Sequence, residues 1–301
     1  MSPDAPARPR LLLVGGTGGF VGRAIRAEFA PPWQIRSVHR HPLPGEVGPS
    51  IEWVPADAAR LADWSPLLAG VDLVVNLAWY RAGSDRRFRP LAAGLARLVA
   101  ACEANGVRRF VQLSVPDAPP ALEAQLPYLA RKREVDRALL RSRLDFVILR
   151  PTMLYGPRDK LLTVMLRTMH RYGRFPMFGD GSYHVSPLAV GDLARIVRQR
   201  AERPAREIVP VGGPERWVYS ELTDAMFAAL GRRPRYLRFS PRGGVRLARL
   251  LEALGSSLLY AYEVEWLLSD RLGLPPYEGL DRPLADVRPF LAAEAARLRG
   301  R

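Results

Sequence analysis

Cysteine is all but missing. Cys102 stands alone in 301 residues, so no internal disulfide can form, and no group of sulfur and imidazole has metal-site spacing. That excludes a disulfide-stapled scaffold and a Cys/His zinc module, and it fits a reducing compartment, so the expected location is the cytoplasm. Long apolar runs are missing too: nothing approaches the roughly 18 residues of a spanning helix. Arg8 and Arg10 ahead of LLLV imitate a signal peptide, but no small-residue cleavage site follows, and the glycines after the run explain it as a strand. Lysine is the third scarcity. Of 45 basic side chains only Lys132 and Lys160 are lysine, and 43 are arginine. The formal charge of +15 is therefore a dispersed arginine excess. No recognised nucleic-acid module accompanies it, so nucleic acid is not an expected partner, whereas a phosphorylated small molecule or an anionic membrane surface is compatible with it. In a chain that writes arginine almost everywhere, a lysine marks a position where arginine does not serve. Apolar residues make up 48% and charged residues 25%, ordinary for a globular protein long enough to bury a sizeable core.

The stretch that organises the chain is GGTGGFVG, Gly15 to Gly22, behind the apolar run Leu11 to Val14 and ahead of RAIRAEF. A buried strand that stops in glycines and restarts as an amphipathic helix brings backbone N–H groups to a helix N-terminus, where a diphosphate can sit. The spacing is G-x-x-G-x-x-G at Gly16, Gly19 and Gly22; it is not G-x-G-x-x-G, because residue 21 is Val21. Dinucleotide contacts are expected from Gly16, Thr17, Gly19, Phe20 and Val21. WQIRSVHRHP reads as a second strand ending in His39, Arg40 and His41. A cation there suits a 2′-phosphate where a carboxylate would suit free ribose hydroxyls, so NADP(H) is favoured over NAD(H), unless Arg40 is one more of many arginines. Asp57 either accepts from the adenine amine or caps the helix that follows. VDLVVNLA has the look of a central parallel strand, with Leu77 and Ala78 at its end facing the cofactor.

Strands and helices go on alternating. YRAGSDRRFRP is an arginine-dense loop, LAAGLARLVAACEANGV an amphipathic helix with a glycine stop, and RRFVQLS a strand that runs out at Ser114. Fourteen residues on comes Tyr128-x-x-x-Lys132, opening a helical pattern. Residues i and i+4 share a helix face, so an ammonium beside the phenol is expected to lower its pKa and make it a general acid or base, with Ser114 holding the substrate oxygen; otherwise Tyr128 packs on the helix and Lys132 sits in solvent. The next strand, DFVILRP, ends near the nicotinamide, where Pro151 and Met153 are expected to touch the cofactor. His184 has no carboxylate in evident register and reads as a packing histidine. REIVPVGG reads as a strand returning to the sheet edge. The tail VRLARLLEALGSSLLYAYEVEWLLSDRLGL is core, the wall of a greasy pocket, or a surface that lies on a membrane. The βαβ rhythm implies an α/β fold: a Rossmann-type doubly wound parallel sheet over 1–151, completed by a segment near 186–212, with a smaller, mostly helical substrate cap over 152–301 interleaved with it.

GGTGGFVG, Asp57 in ADAARL, VVNLAW, Ser114 at its strand end, YLARK and ILRPTMLYGP occur in the order seen in extended and atypical short-chain dehydrogenase/reductases, the epimerase/dehydratase superfamily. The Ser114–Tyr128 interval, Arg40, and the tail VEWLLSDRLGLPPYEGLDRPLADVRPFL resemble the atypical branch that includes the nucleotide-binding accessory subunit of respiratory complex I and its bacterial relatives. The resemblance implies NADP(H) and, at matching positions, Ser114, Tyr128 and Lys132 as a catalytic trio, which also serve the cofactor through Tyr128 and Lys132. It implies an oxidoreductase acting on a small, rather apolar carbonyl or alcohol, or, as in some relatives, a non-catalytic NADPH-binding structural or assembly protein. Sugar-nucleotide epimerases and dehydratases usually carry a second Ser or Thr beside the catalytic serine; here the run is LSVPDAP, which weakens that reading.

Overall fold

Leu11, Leu12, Leu13 and Val14 have no solvent exposure at all, and a strand apolar on both faces needs helices on both sides of its sheet. The computed structural model describes residues 9–15, 18–29, 31–41, 50–79, 81–256 and 259–300. In chain order come β1 (Arg10–Val14), α1 (Phe20–Glu28), β2 (Gln34–His39), β3 (Ile51–Pro55), the short α2 (Ser65–Leu68), β4 (Leu73–Asn76), the long α3 (Asp85–Ala104), β5 (Arg109–Leu113), α4 (Pro120–Gln125), α5 (Pro127–Arg141) and β6 (Asp145–Pro151). Beyond these lie β7 (Leu154–Tyr155), α6 (Leu162–Tyr172), β8 (Phe175–Phe178), β9 (His184–Val185), β10 (Leu188–Ala189), α7 (Val190–Ala201), β11 (Arg206–Val211), β12 (Trp217–Val218), α8 (Tyr219–Ala229), β13 (Tyr236–Phe239), α9 (Pro241–Ala253), α10 (Ala261–Leu268) and α11 (Val287–Arg299).

Seven strands pair in the order β3-β2-β1-β4-β5-β6-β11, all parallel. Strand order reverses between β1 and β4, and the crevice outside the carboxyl ends of those strands is where an open α/β sheet takes its ligand. Alternate strand residues feed two cores. Leu12, Val14, Val74 and Phe110 meet Leu91, Leu95 and Leu98 of α3 and Val135 and Leu139 of α5. Leu11, Leu13 and Val75 meet Ile25 of α1 and Leu193, Ile196 and Val197 of α7 on the opposite face. A third core joins α6, α8 and α11 through Leu166, Met169, Leu222, Phe227 and Leu291. Leu126 and Leu129, at the start of α5, pack with Trp266 of α10, so α10 closes over the end of α5 that begins beyond β5.

The α3 layer comes very close to the loop after β3. A Cβ on Gly94 would stand 1.9 Å from the carbonyl oxygen of Ala58, while the Gly94 carbonyl accepts from Trp64 Nε1 at 3.1 Å. Backbone on both sides leaves no flexible atom to give way. Gly94→Ala is therefore expected to destabilise by about 1–3 kcal/mol and to lower the melting temperature by about 2–10 °C. Calorimetry checks it, and an unchanged melting temperature would mean that the helix and loop separate easily.

Candidate functional site

The glycine turn opens the site. Gly15 has φ +70°, and a Cβ there would lie 2.4 Å from Ala78 Cα, so only glycine lets β1 leave the sheet against the end of β4. Gly15 N donates to Val38 O and Leu77 N to Val14 O, which ties the ends of β1, β2 and β4 together. Asn76 braces the same corner: its Nδ2 donates to Gln112 Oε1 at 2.7 Å and its Oδ1 accepts from Ala78 N at 3.0 Å. Gly19 is the N-cap of α1, with no side-chain cap and no acid in the first turn, leaving the first N–H groups of the helix for an anion. Val21 packs toward the core under α1. A helix start with no side-chain cap and no acid in its first turn, directly behind the glycine turn, fits a dinucleotide diphosphate. Gly16 and Thr17 lie outside the described residues.

Around this turn stand the other expected cofactor contacts. Arg40 is exposed just past β2, between His39 and His41, which hydrogen-bond each other through His39 Nδ1 and the His41 backbone. Asp57 Oδ1 accepts from Ala59 N at 3.0 Å, and its carbonyl accepts from Arg60 and Leu61. The carboxylate closes a turn and does not cap a helix: α2 begins later, at Ser65, whose N–H is taken by Asp63. Pro151 is paired with Val211 in the sheet, and Met153 is buried in the third core.

The residues expected to do chemistry fall into two groups. In the first, Tyr128 sits half-buried in an aromatic cluster, its ring stacked on Tyr262 of α10 at 4.8 Å and edge-on to Trp79 and Phe88 at 6.1 and 5.9 Å. Lys132, buried at 7% exposure, donates from Nζ to the Leu113 carbonyl at 3.1 Å and lies 4.8 Å from the centre of the Trp79 ring. Among the described residues, an ammonium with three N–H groups thus has one acceptor, and the buried Trp79 indole N–H has none. A corner rich in donors and short of acceptors fits ribose hydroxyls. Electrostatics depart from the expectation. Burial, reinforced by the charge of Glu263, pushes the Tyr128 phenol up and keeps it protonated. Burial pulls Lys132 down to about 8, against the opposing pull of Asp136. The i,i+4 spacing places both residues on one face, but Lys132 reaches for the strand end and not for the phenol.

Ser114 belongs to the second group. Its Oγ donates to Asp136 Oδ2 at 2.8 Å, and Asp136, 1% exposed, also accepts from Arg133 Nη1 at 2.9 Å and Arg150 Nη2 at 3.5 Å. Arg133 further donates to Ser114 Oγ, to the Val115 and Pro116 carbonyls and to Glu123, and Arg150 pairs with Asp117. Asp136 is two turns beyond Tyr128 on α5, about 12 Å along the axis, and helical side chains lean back toward the N-terminus. Ser114 is therefore bonded to the buried middle of α5, while Tyr128 stands at the start of that helix. Asp136 and Arg133 were missed from the sequence, although their signal was present: they occupy the stripe of Leu129, Lys132 and Leu139 that faces the sheet. His184 does have a carboxylate partner, since its Nδ1 lies 3.1 Å from Asp270 Oδ1, 86 residues away.

Among the described residues no His, Cys, Asp and Glu cluster could hold a metal ion, and no described helix is long and apolar enough to cross a membrane. A parallel sheet with a glycine turn at its switch point and a lysine at the carboxyl end of β5 defines a protein of the nucleotide-binding Rossmann class. Residues 15–171 match the profile of a family described as NAD(P)H-binding, and the chain belongs to that family. It is similar to a 2-alkyl-3-oxoalkanoate reductase of Stenotrophomonas maltophilia, 28% identical over 252 residues that span 73% of this chain and 76% of the reductase. It is also similar to the mitochondrial NADH dehydrogenase [ubiquinone] 1 alpha subcomplex subunit 9 of Arabidopsis thaliana, 24% identical over 75% of this chain and 59% of the subunit. Its fold matches the UDP-glucuronic acid 4-epimerase of Bacillus cereus in complex with NAD, with a TM-score of 0.69 and 17% identity over 96% of both chains.

Proposed function

We propose that this protein is an NADP(H)-dependent oxidoreductase that reduces a small, rather apolar ketone, or oxidises the matching alcohol. The observation that carries the reading is the setting of Tyr128: a phenol kept protonated by burial, walled by Trp79, Phe88 and Tyr262, on the same helix as a buried lysine at the sheet's carboxyl edge. When bound, NADP(H) supplies or accepts the hydride. Tyr128 donates its proton to the substrate oxygen in reduction and takes it back in oxidation. Lys132, fixed by the Leu113 carbonyl, offers its remaining N–H groups to the ribose. The aromatic wall excludes water and favours an apolar substrate, a class consistent with the reductase relative, whose name specifies 2-alkyl-3-oxoalkanoates. The purified protein with NADPH and a panel of 3-oxoalkanoates and simple ketones tests this, and consumption of NADPH with one of them is the expected result.

Arg40 is the proposed partner of the 2′-phosphate. Arg40→Glu is expected to weaken NADPH binding by about 10- to 100-fold, the value of a charge-assisted contact, while changing NADH binding little. Fluorescence titration with both coenzymes checks it, and equal losses for the two would remove Arg40 from this role.

A second reading, a non-catalytic NADPH-binding structural or assembly protein, has its own support. The Ser114 proton is committed to Asp136 and Tyr262 lies across Tyr128. NADPH that raises the melting temperature without turnover of the panel would favour it. A sugar-nucleotide epimerase or dehydratase is the third reading; it rests on fold likeness alone and would be marked by NAD that co-purifies and stays bound.

A further inference from the structure

The outer face of α9 has no cover among the described residues. Arg242, Arg246, Arg249, Leu250 and Leu254, spaced i, i+4, i+7, i+8 and i+12, are all exposed, while Gly244 and Ala248 on the other side are buried. Leu250 is 57% and Leu254 75% exposed, and Leu254 is the most exposed large hydrophobic side chain among the described residues. Ser240 accepts from Gly243 N and Pro241 opens the first turn, so the helix is firmly started. Ala248 is anchored against Phe178 and Val264. Arg249 has a partner, Glu265 at 3.4 Å; Arg242 and Arg246 have neither an ion pair nor a hydrogen bond among the described residues. From residue 231 to 255 the chain holds seven arginines against one acid, Glu252.

We propose that this face docks on an anionic lipid surface. Its charge chooses among occupants. A second copy of the chain would set arginine against arginine across a two-fold axis, and a nucleic acid would gain nothing from two leucines at the end of the stripe. Anionic headgroups answer the arginines, and the acyl boundary takes Leu250 and Leu254. The face also connects with the candidate site. Glu252 of α9 accepts from Ala261 N, the first residue of α10. Glu263 of α10 is gripped in bidentate fashion by Arg81, from the loop after β4, at 2.6 and 2.7 Å, and Tyr262 between them stacks on Tyr128. Docking through α9 sets the aromatic mouth at the membrane boundary, where an apolar substrate would be met. The inference concerns binding and stands whether or not the site turns over a ketone.

Sedimentation of the full chain with phosphatidylcholine vesicles, with and without phosphatidylglycerol, tests it. Binding is expected only to the anionic vesicles and should weaken with salt. Arg242→Glu with Arg246→Glu should lower it at least about tenfold, and Leu250→Ser with Leu254→Ser about threefold to tenfold. Arg137→Glu with Arg141→Glu, exposed on the far end of α5, should leave it within about twofold, which separates this face from the overall charge. Matching melting temperatures for all four proteins show that folding is intact. Equal losses for the two arginine pairs would overturn the proposal. So would binding indifferent to the leucines but matched by a DNA duplex, or a concentration-dependent dimer that the leucine variant abolishes.

Discussion

Tyr128→Phe lowers turnover of the preferred carbonyl substrate by about 10²- to 10⁴-fold, the contribution of a placed general acid, and leaves NADPH affinity within about twofold. The ring stays, so the stacking on Tyr262 and the edges of Trp79 and Phe88 persist; only the proton source goes. The pH dependence carries a sign. With the phenol pushed up, Tyr128 holds its proton throughout the ordinary working range and sets no limb of the profile there. Lys132, at about 8, is charged below that pH and loses its charge above it. Reduction should therefore hold steady on the acid side and decline as pH rises through about 8, and Lys132→Arg should shift that decline beyond reach while weakening cofactor binding. A Tyr128→Phe variant with unimpaired turnover, measured at saturating NADPH, would remove the phenol from the chemistry and favour the non-catalytic reading.

What the sequence made legible was local. The glycine turn, the parallel strands and the start of α5 each announce themselves within a few residues, because strand burial, turn geometry and helical spacing are short-range. What it hid was made by distance. Tyr262 reaches Tyr128 from the far end of the chain, Asp270 reaches His184 across 86 residues, and Glu263 meets Arg81 across 182; no periodicity reports such meetings. The misjudged electrostatics has the same origin. The spacing of Tyr128 and Lys132 spoke for a shared face, but the direction of the lysine is set by the Leu113 carbonyl on another element, and burial outweighs the neighbouring charge. Asp57 is the opposite case: of the adenine contact and the helix cap open to it, the cap is not made, and Oδ1 closes a turn of three residues. Likewise the leucine-rich tail is core on one side, through Val264 and Trp266, and bare on the other along α9. Sequence composition could not divide those faces without knowing what packs behind them.

Asp136→Ala should be the most damaging substitution for stability. One carboxylate oxygen, Oδ2, serves Ser114, Arg133 and Arg150 together, in a place where Arg133 is 5% and Arg150 7% exposed. Asp136 Oδ1 and Arg150 Nε are buried without partners among the described residues, and Asp136→Ala takes away both carboxylate oxygens at once. Removing the anion leaves two buried guanidiniums with Asp117 and Glu123 as their remaining carboxylates, beside the Val115 and Pro116 carbonyls that Arg133 already uses. Breaking a buried pair in this way costs about 3–5 kcal/mol, which for a domain of this size lowers the melting temperature by about 6–20 °C. Ser114→Ala is the instructive companion. It removes one donor and frees the carboxylate for the arginines, so it should cost about 1 kcal/mol. If Ser114 serves the network and not the substrate, its loss should also leave turnover within a few-fold of the parent. A loss of about 10²-fold or more at unchanged stability would instead mean that Ser114 leaves Asp136 when substrate arrives and holds the reacting oxygen beside Tyr128.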